Sequence, residues 1–283
     1  MKMSWFEYVW DSMEELEDFV ADNRKRRHFA RDWTGDVSSW ADMDELNRKG
    51  WVDGVRRAQA MQVNLADYIQ TLGLDGLEPV EEYDVGGAYV DVGLYCDGEP
   101  ECMVEWEEKI MPNSRIIRIA VQINFLSDVG AAGAMRRGVA IAAMVDALEM
   151  AGLQVELWAV DCTRSPSGAL SKRGADGADR NLHRTAVRVK EAGEPVALDR
   201  VALAIGHPAY FRVMHFEARQ RIKGTEGGNT ASVPEHVAEA GELIVPPMNR
   251  DAEMEHFSND EKACEWACEQ FSALIDSALE RVA

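Results

Sequence analysis

A chain of 283 residues with 46% hydrophobic and 28% charged side chains can bury a large core, and its length suits one or two domains. No apolar run approaches the roughly 20 residues a membrane helix needs, and the acidic, aromatic start is unlike a cleavable secretory signal, so a cytoplasmic protein is expected with no membrane partner. The net charge of −20 is uneven: residues 1–113 hold 26 acidic and 11 basic side chains, 114–225 hold 11 and 16, and 226–283 hold 13 and 3.

In chain order, residues 1–78 read as a helical region. Trp5, Val9, Met13, Leu16 and Val20 recur at helical spacing before a basic run at 24–27, whose charge suits a helix C-terminus. Two short helices are expected after the turn at Thr34 and Gly35, capped first by Ser38 or Ser39 and broken at Gly50 and Gly54. Trp33, Trp40 and Trp51 are expected to pack together, as core rather than as a binding surface.

Residues 79–113 read as an antiparallel β hairpin. Ala88, Val90, Val92 and Leu94 alternate with Tyr89, Asp91, Gly93 and Tyr95; a turn follows, and Cys102, Val104, Trp106 and Ile110 then face inward against Glu101, Glu105, Glu107 and Lys109. Asp91 followed by Glu107 and Lys109 resembles the Asp, then Glu-x-Lys arrangement of restriction-endonuclease-like nucleases, which implies metal-assisted phosphodiester cleavage. A solvated polar hairpin face is the plainer reading, and the acidity of the segment opposes DNA binding.

Residues 114–225 form an α/β core. Ile117, Ile119, Val121, Ile123 and Phe125 share one face of a strand, with Arg118, Ala120, Gln122 and Asn124 on the other. Helical spacing from 135 to 151 places Val139, Ala142, Met144, Val145 and Leu148 on one side, and Gly152 suits a helix end. Residues 154–160 alternate again, so a right-handed βαβ unit in a mostly parallel sheet is expected. A loop at 164–183, a strand at 185–190 and a helix capped by Asp199 follow, with Pro208 in the first turn of the next helix. His207 and His215 read as capping or buried histidines, with a general base as the alternative.

Residues 226–283 read as an irregular stretch, then a helix that packs on the core. Ser258 with Glu261 makes a capping box, and Cys264, Ala267, Cys268, Phe271, Leu274 and Ile275 form an apolar stripe. Cys264, Cys268 and His256 fall one ligand short of a structural zinc set, and the scattered, odd count of five cysteines suits a reducing compartment. The chain contains no HExxH, phosphate-binding glycine loop, nucleophile elbow or CxxC pair.

The order of elements over 116–161, with RRGVAIAAMVDALEMAGLQVELWAV as its clearest piece, resembles a von Willebrand factor A domain of the intracellular kind that works beside chelatase or MoxR-type ATPases. The stretches WTGDVSSWADMDELNRKGWVDG, YDVGGAYVDVGLYCDGEPECMVEW and ALAIGHPAYFRVMHF resemble proteins of tailed bacteriophages. The first resemblance implies a DxSxS metal motif after the first strand, yet the aligned positions are Gln122, Asn124 and Leu126, so a degenerate site without metal or other cofactor is expected. The expected function is a non-enzymatic intracellular adaptor that binds a protein, with an ATPase as one partner. Its binding surface would lie outside the carboxyl ends of the strands, at Asn124, Ser127, Asp128, Asp161 and Thr163. Nucleic-acid binding through the basic centre, including Arg136, Arg137 and Arg188, is the alternative.

Overall fold

The structure is a computed structural model that describes residues 8–22, 24, 29–71, 80–86, 89–107, 116–125, 128–150, 153–164, 182–222, 230–231 and 242–280. The expected βαβ unit is present: β5 (Ile116–Gln122) and β6 (Gln154–Arg164) pair in parallel, joined by α6 (Ala131–Met150). Around it the chain builds a mixed α/β fold on a mostly parallel sheet.

The sheet draws on more of the chain than residues 114–225. Its order is β1 (Tyr8–Trp10), β7 (Leu182–Lys190), β6, β5, β9 (Glu242–Val245), with β8 (Thr230–Ala231) beside the far end of β6. Strands β1 and β9 join in parallel, while β7 and β8 run antiparallel to β6. Two edge strands thus come from segments read as a helix start and as an irregular stretch. The helix starts later, at α1 (Met13–Ala21), where Ser12 accepts from Glu15 N and Glu15 Oε2 accepts from Asp11 N.

Helix α6 is buried on most of its circumference, 13 of its 20 residues being inaccessible, so it is an internal helix rather than an amphipathic surface one. It packs against α4 (Val52–Thr71), α7 (Leu198–Gly206) and α10 (Asp260–Glu280). The α6–α7 crossing depends on two glycines. A Cβ added at Gly138 would lie 1.8 Å from Gly206 Cα, closer than any side chain permits.

Several local expectations are corrected. Gly54 does not break α4; its missing side chain makes room for the Trp51 ring. Two neighbouring expectations hold: Ser39 is the first cap, on α3 (Trp40–Lys49), and Gly50 ends that helix at φ +68°. Asp199 lies in the first turn of α7 while Ala197 is the capping position, and Asn259 rather than Ser258 caps α10 through Lys262 N. The tryptophans divide among different rings: Trp33 against Phe216, Trp40 against Phe29, Trp51 against His207.

Residues 80–107 form a second, three-stranded antiparallel sheet of order β2 (Val80–Asp84), β4 (Met103–Glu107), β3 (Tyr89–Val90). The expected long first strand stops at Val90. Asp91 accepts from Gly93 N and Leu94 N and starts the short helix α5 (Val92–Asp97), which Gly98 ends with φ +80°.

Candidate functional site

Three buried arginines and one buried aspartate meet at the carboxyl end of β5. The sheet register sets Gln122 beside Val160, so the residues just beyond β5 face the end of β6. Gln122 Nε2 donates to Cys162 O at 3.0 Å, and Asn124 Nδ2 donates to Asp161 Oδ1 at 3.1 Å and to Cys162 O. Asp161 is fully buried, and its other oxygen meets Arg219 Nη2 at 2.5 Å. Arg219 comes from α8 (Phe216–Arg221), and its guanidinium lies over the Phe216 ring at 4.8 Å. An ionised pair this deep survives only when each charge has its partner in place.

The other two arginines tie loops to this centre. Arg137 donates to Gln122 O at 3.0 Å and to Pro246 O at 2.6 Å, which fixes the ends of β5 and β9 to α6. Burial pushes its guanidinium down to about 9, which still leaves it charged near neutrality. Arg212, from the π-helical turn Tyr210–His215, donates to Trp33 O and to Val129 O at 2.9 Å. Such turns often mark functional positions; here the wider turn presents Arg212 inward.

The carboxylate of Glu253, on α9 (Arg250–His256), sits at the start of α6. Both of its oxygens accept from Gly130 N at 3.2 Å, and a Cβ at Gly133 would lie 2.4 Å from Oε1. The position where an open α/β sheet would receive a ligand's anionic group is therefore filled by the chain itself.

These contacts revise the expected binding surface. Asn124, Asp161 and Thr163 are at most 3% exposed and form the polar interior. Asn124 Oδ1 and Thr163 Oγ1 find no hydrogen-bond partner among the described residues. Asp128 is exposed, and Ser127 lies outside the described residues. The donor set does not fit a divalent cation: the aligned positions offer the amides Gln122 and Asn124, and the nearby carboxylate, Asp161, is already matched by Arg219. Among the described residues no group of three or more His, Cys, Asp or Glu is placed to hold a metal ion.

The basic face is revised too. Arg137 is buried, Arg136 donates to Phe257 O and faces Asp260, and Arg188 donates to Asp11 O and faces Glu191. Residues 165–181, with the rest of the arginine-rich loop, lie outside the described residues. Of the nuclease candidates, Asp91 is a helix cap, Glu107 ends β4, and Lys109 lies outside the described residues. His207 is 6% exposed, meets the Trp51 ring edge-on, and is pushed down to about 4 by burial, so it is a neutral interior group. No sequence pattern pointed to Arg219 or Glu253. The nearest signal was the three arginines spread over 212–221, in a segment whose first half is apolar enough to be buried.

No helix of the described residues is long and apolar enough to cross a membrane. No curated protein and no solved structure matches the chain. A family model described as "Domain of unknown function (DUF7192)" matches residues 4–276, and the chain belongs to that family.

Proposed function

We propose that this protein is a non-enzymatic, phage-encoded intracellular adaptor built on a degenerate von Willebrand A-like core, with a MoxR-type ATPase as one candidate partner. The observation that carries the reading is the Asp161–Arg219 pair. At the strand ends where a related fold would hold a divalent ion, a guanidinium neutralises the carboxylate, so the centre serves as a locked scaffold rather than a reaction site. Glu253 adds to this by covering the start of α6. The nucleic-acid alternative gains no support from Arg136, Arg137 and Arg188, each of which is engaged by carbonyls of the chain itself.

Affinity capture of the tagged full chain from cells that express it, followed by mass identification and reconstitution with purified partners, tests the reading. Reconstituted binding of an ATPase supports it. Recovery of nucleic acid alone, with retention that falls steeply as salt rises, replaces it with the alternative. Cleavage of DNA with manganese that disappears in Asp91→Ala would instead establish a nuclease.

A further inference from the structure

The small sheet combines two features that seldom coincide on a surface with no task. Its residues 80–107 include nine Asp or Glu and no Lys or Arg. The same stretch holds five large side chains in solvent: Tyr83 at 41% exposure, Val85 at 71%, Val90 at 40%, Val92 at 69% and Tyr95 at 67%. Single exposed apolar residues are ordinary, but a cluster rimmed by charge is the composition of an interaction site.

Val92 and Tyr95 share α5, and Tyr83 reaches its start. Val92 and Tyr95 stand one turn apart on α5. The Tyr83 hydroxyl donates to Asp91 Oδ2 at 3.4 Å, which ties β2 to the start of α5. Asp91 thereby acts as the joint of the patch: one oxygen caps the helix and the other holds the tyrosine.

We propose that this acidic, apolar sheet is a docking surface for a basic, amphipathic protein segment. Charge decides among the possible occupants. A second copy of the same surface, a nucleic-acid backbone or an anionic membrane would each bring like charge against nine carboxylates. A cationic segment with apolar anchors satisfies both features, its Lys or Arg meeting the rim while its hydrophobic face covers Val92 and Tyr95. The inference narrows the adaptor reading to a partner chemistry and does not depend on which ATPase, if any, is bound.

Fluorescence anisotropy with a labelled synthetic helical peptide of about 18 residues, or five turns, tests this on the full chain. A Lys/Leu amphipathic peptide is expected to bind in the micromolar range and to weaken about tenfold as salt is raised from low to high ionic strength. A Lys/Ser peptide of equal charge should bind at least about tenfold more weakly, and a Glu/Leu peptide should not bind. The double variant Val92→Ser with Tyr95→Ser should reduce affinity about tenfold at unchanged melting temperature. Glu99→Lys with Glu101→Lys should do the same, while an equal charge change on α9, Asp251→Lys with Glu255→Lys, leaves affinity within about twofold. Equal binding of the Lys/Leu and Lys/Ser peptides, no loss in the Val92/Tyr95 variant, or equal loss from both charge changes overturns the proposal. Such a failure removes this surface only; the adaptor reading fails separately, in the capture experiment.

Discussion

At the carboxyl end of β5, Arg137, Arg212 and Arg219 are enclosed, and their guanidinium groups are committed to backbone carbonyls or to Asp161. In the sheet of residues 80–107, nine carboxylates have no basic residue within the segment, and Val85, Val92 and Tyr95 are each more than two-thirds exposed. The first region uses its polar chemistry to join β5, β6, β9, α6 and α8 into one body; the second leaves apolar area in solvent. The difference shows that perturbed, buried ionisable groups here report architecture, and that recognition is better sought where side chains remain exposed.

The comparison breaks most severely at the buried pair. Arg219→Ala leaves Asp161 charged and enclosed, so unfolding by urea should show a loss of about 3–5 kcal/mol. Replacing both partners, Asp161→Leu with Arg219→Met, should cost less than Arg219→Ala alone; additive losses would show that the two side chains are not coupled.

Acid probes the same interior. The folded protein holds His207 neutral down to about pH 4, below its ordinary value of 6.5, so the unfolded chain takes up the proton first. Its contribution is complete above about pH 6.5 and is lost as pH falls toward 4, amounting to about 3 kcal/mol. Denaturant midpoints across that range should fall, and the slope should flatten in His207→Gln.

Gly138→Ala adds one methyl group where α6 and α7 meet at their backbones, and a melting scan should report about 1–3 kcal/mol of destabilisation. The smallest effect belongs to the second region. Val92→Ser should stay within about 0.5 kcal/mol of the parent, because the side chain is already in water; a larger loss would mean that the patch is covered by its own chain.

Periodicity made β5, α6 and β6 legible. Ile117, Ile119 and Val121 alternate over enough positions to exclude a helix, and the stretch from Val139 to Leu148 is too long and apolar to be a strand. Strands β1 and β9 have only three and four residues, too few for a period to register, and hydrogen bonds from β7 and β5 hold them in place. At 88–95 the alternation that suggested a strand also fits a short helix, and Asp91 decides between them by capping Gly93 and Leu94.

The excess of basic residues over 114–225 was visible from composition, but their location was not. Arg137 lies on a helix of small residues, where a long cation would ordinarily reach solvent; α4, α7 and α10 close around that helix instead. Asp161 and Arg219 are separated by 58 residues, and nothing in the local pattern of either names the other.

The sequence by itself therefore determined the α/β class, the βαβ unit and the mismatch at Gln122 and Asn124 with a metal motif, because these depend on neighbours within a turn or a strand. Only the tertiary structure decided that Asp161 is paired with Arg219, that Glu253 covers the start of α6, and that Val85, Val92 and Tyr95 stand in solvent. Those outcomes follow from burial and from pairing between distant segments, which arise only once the chain has closed on itself.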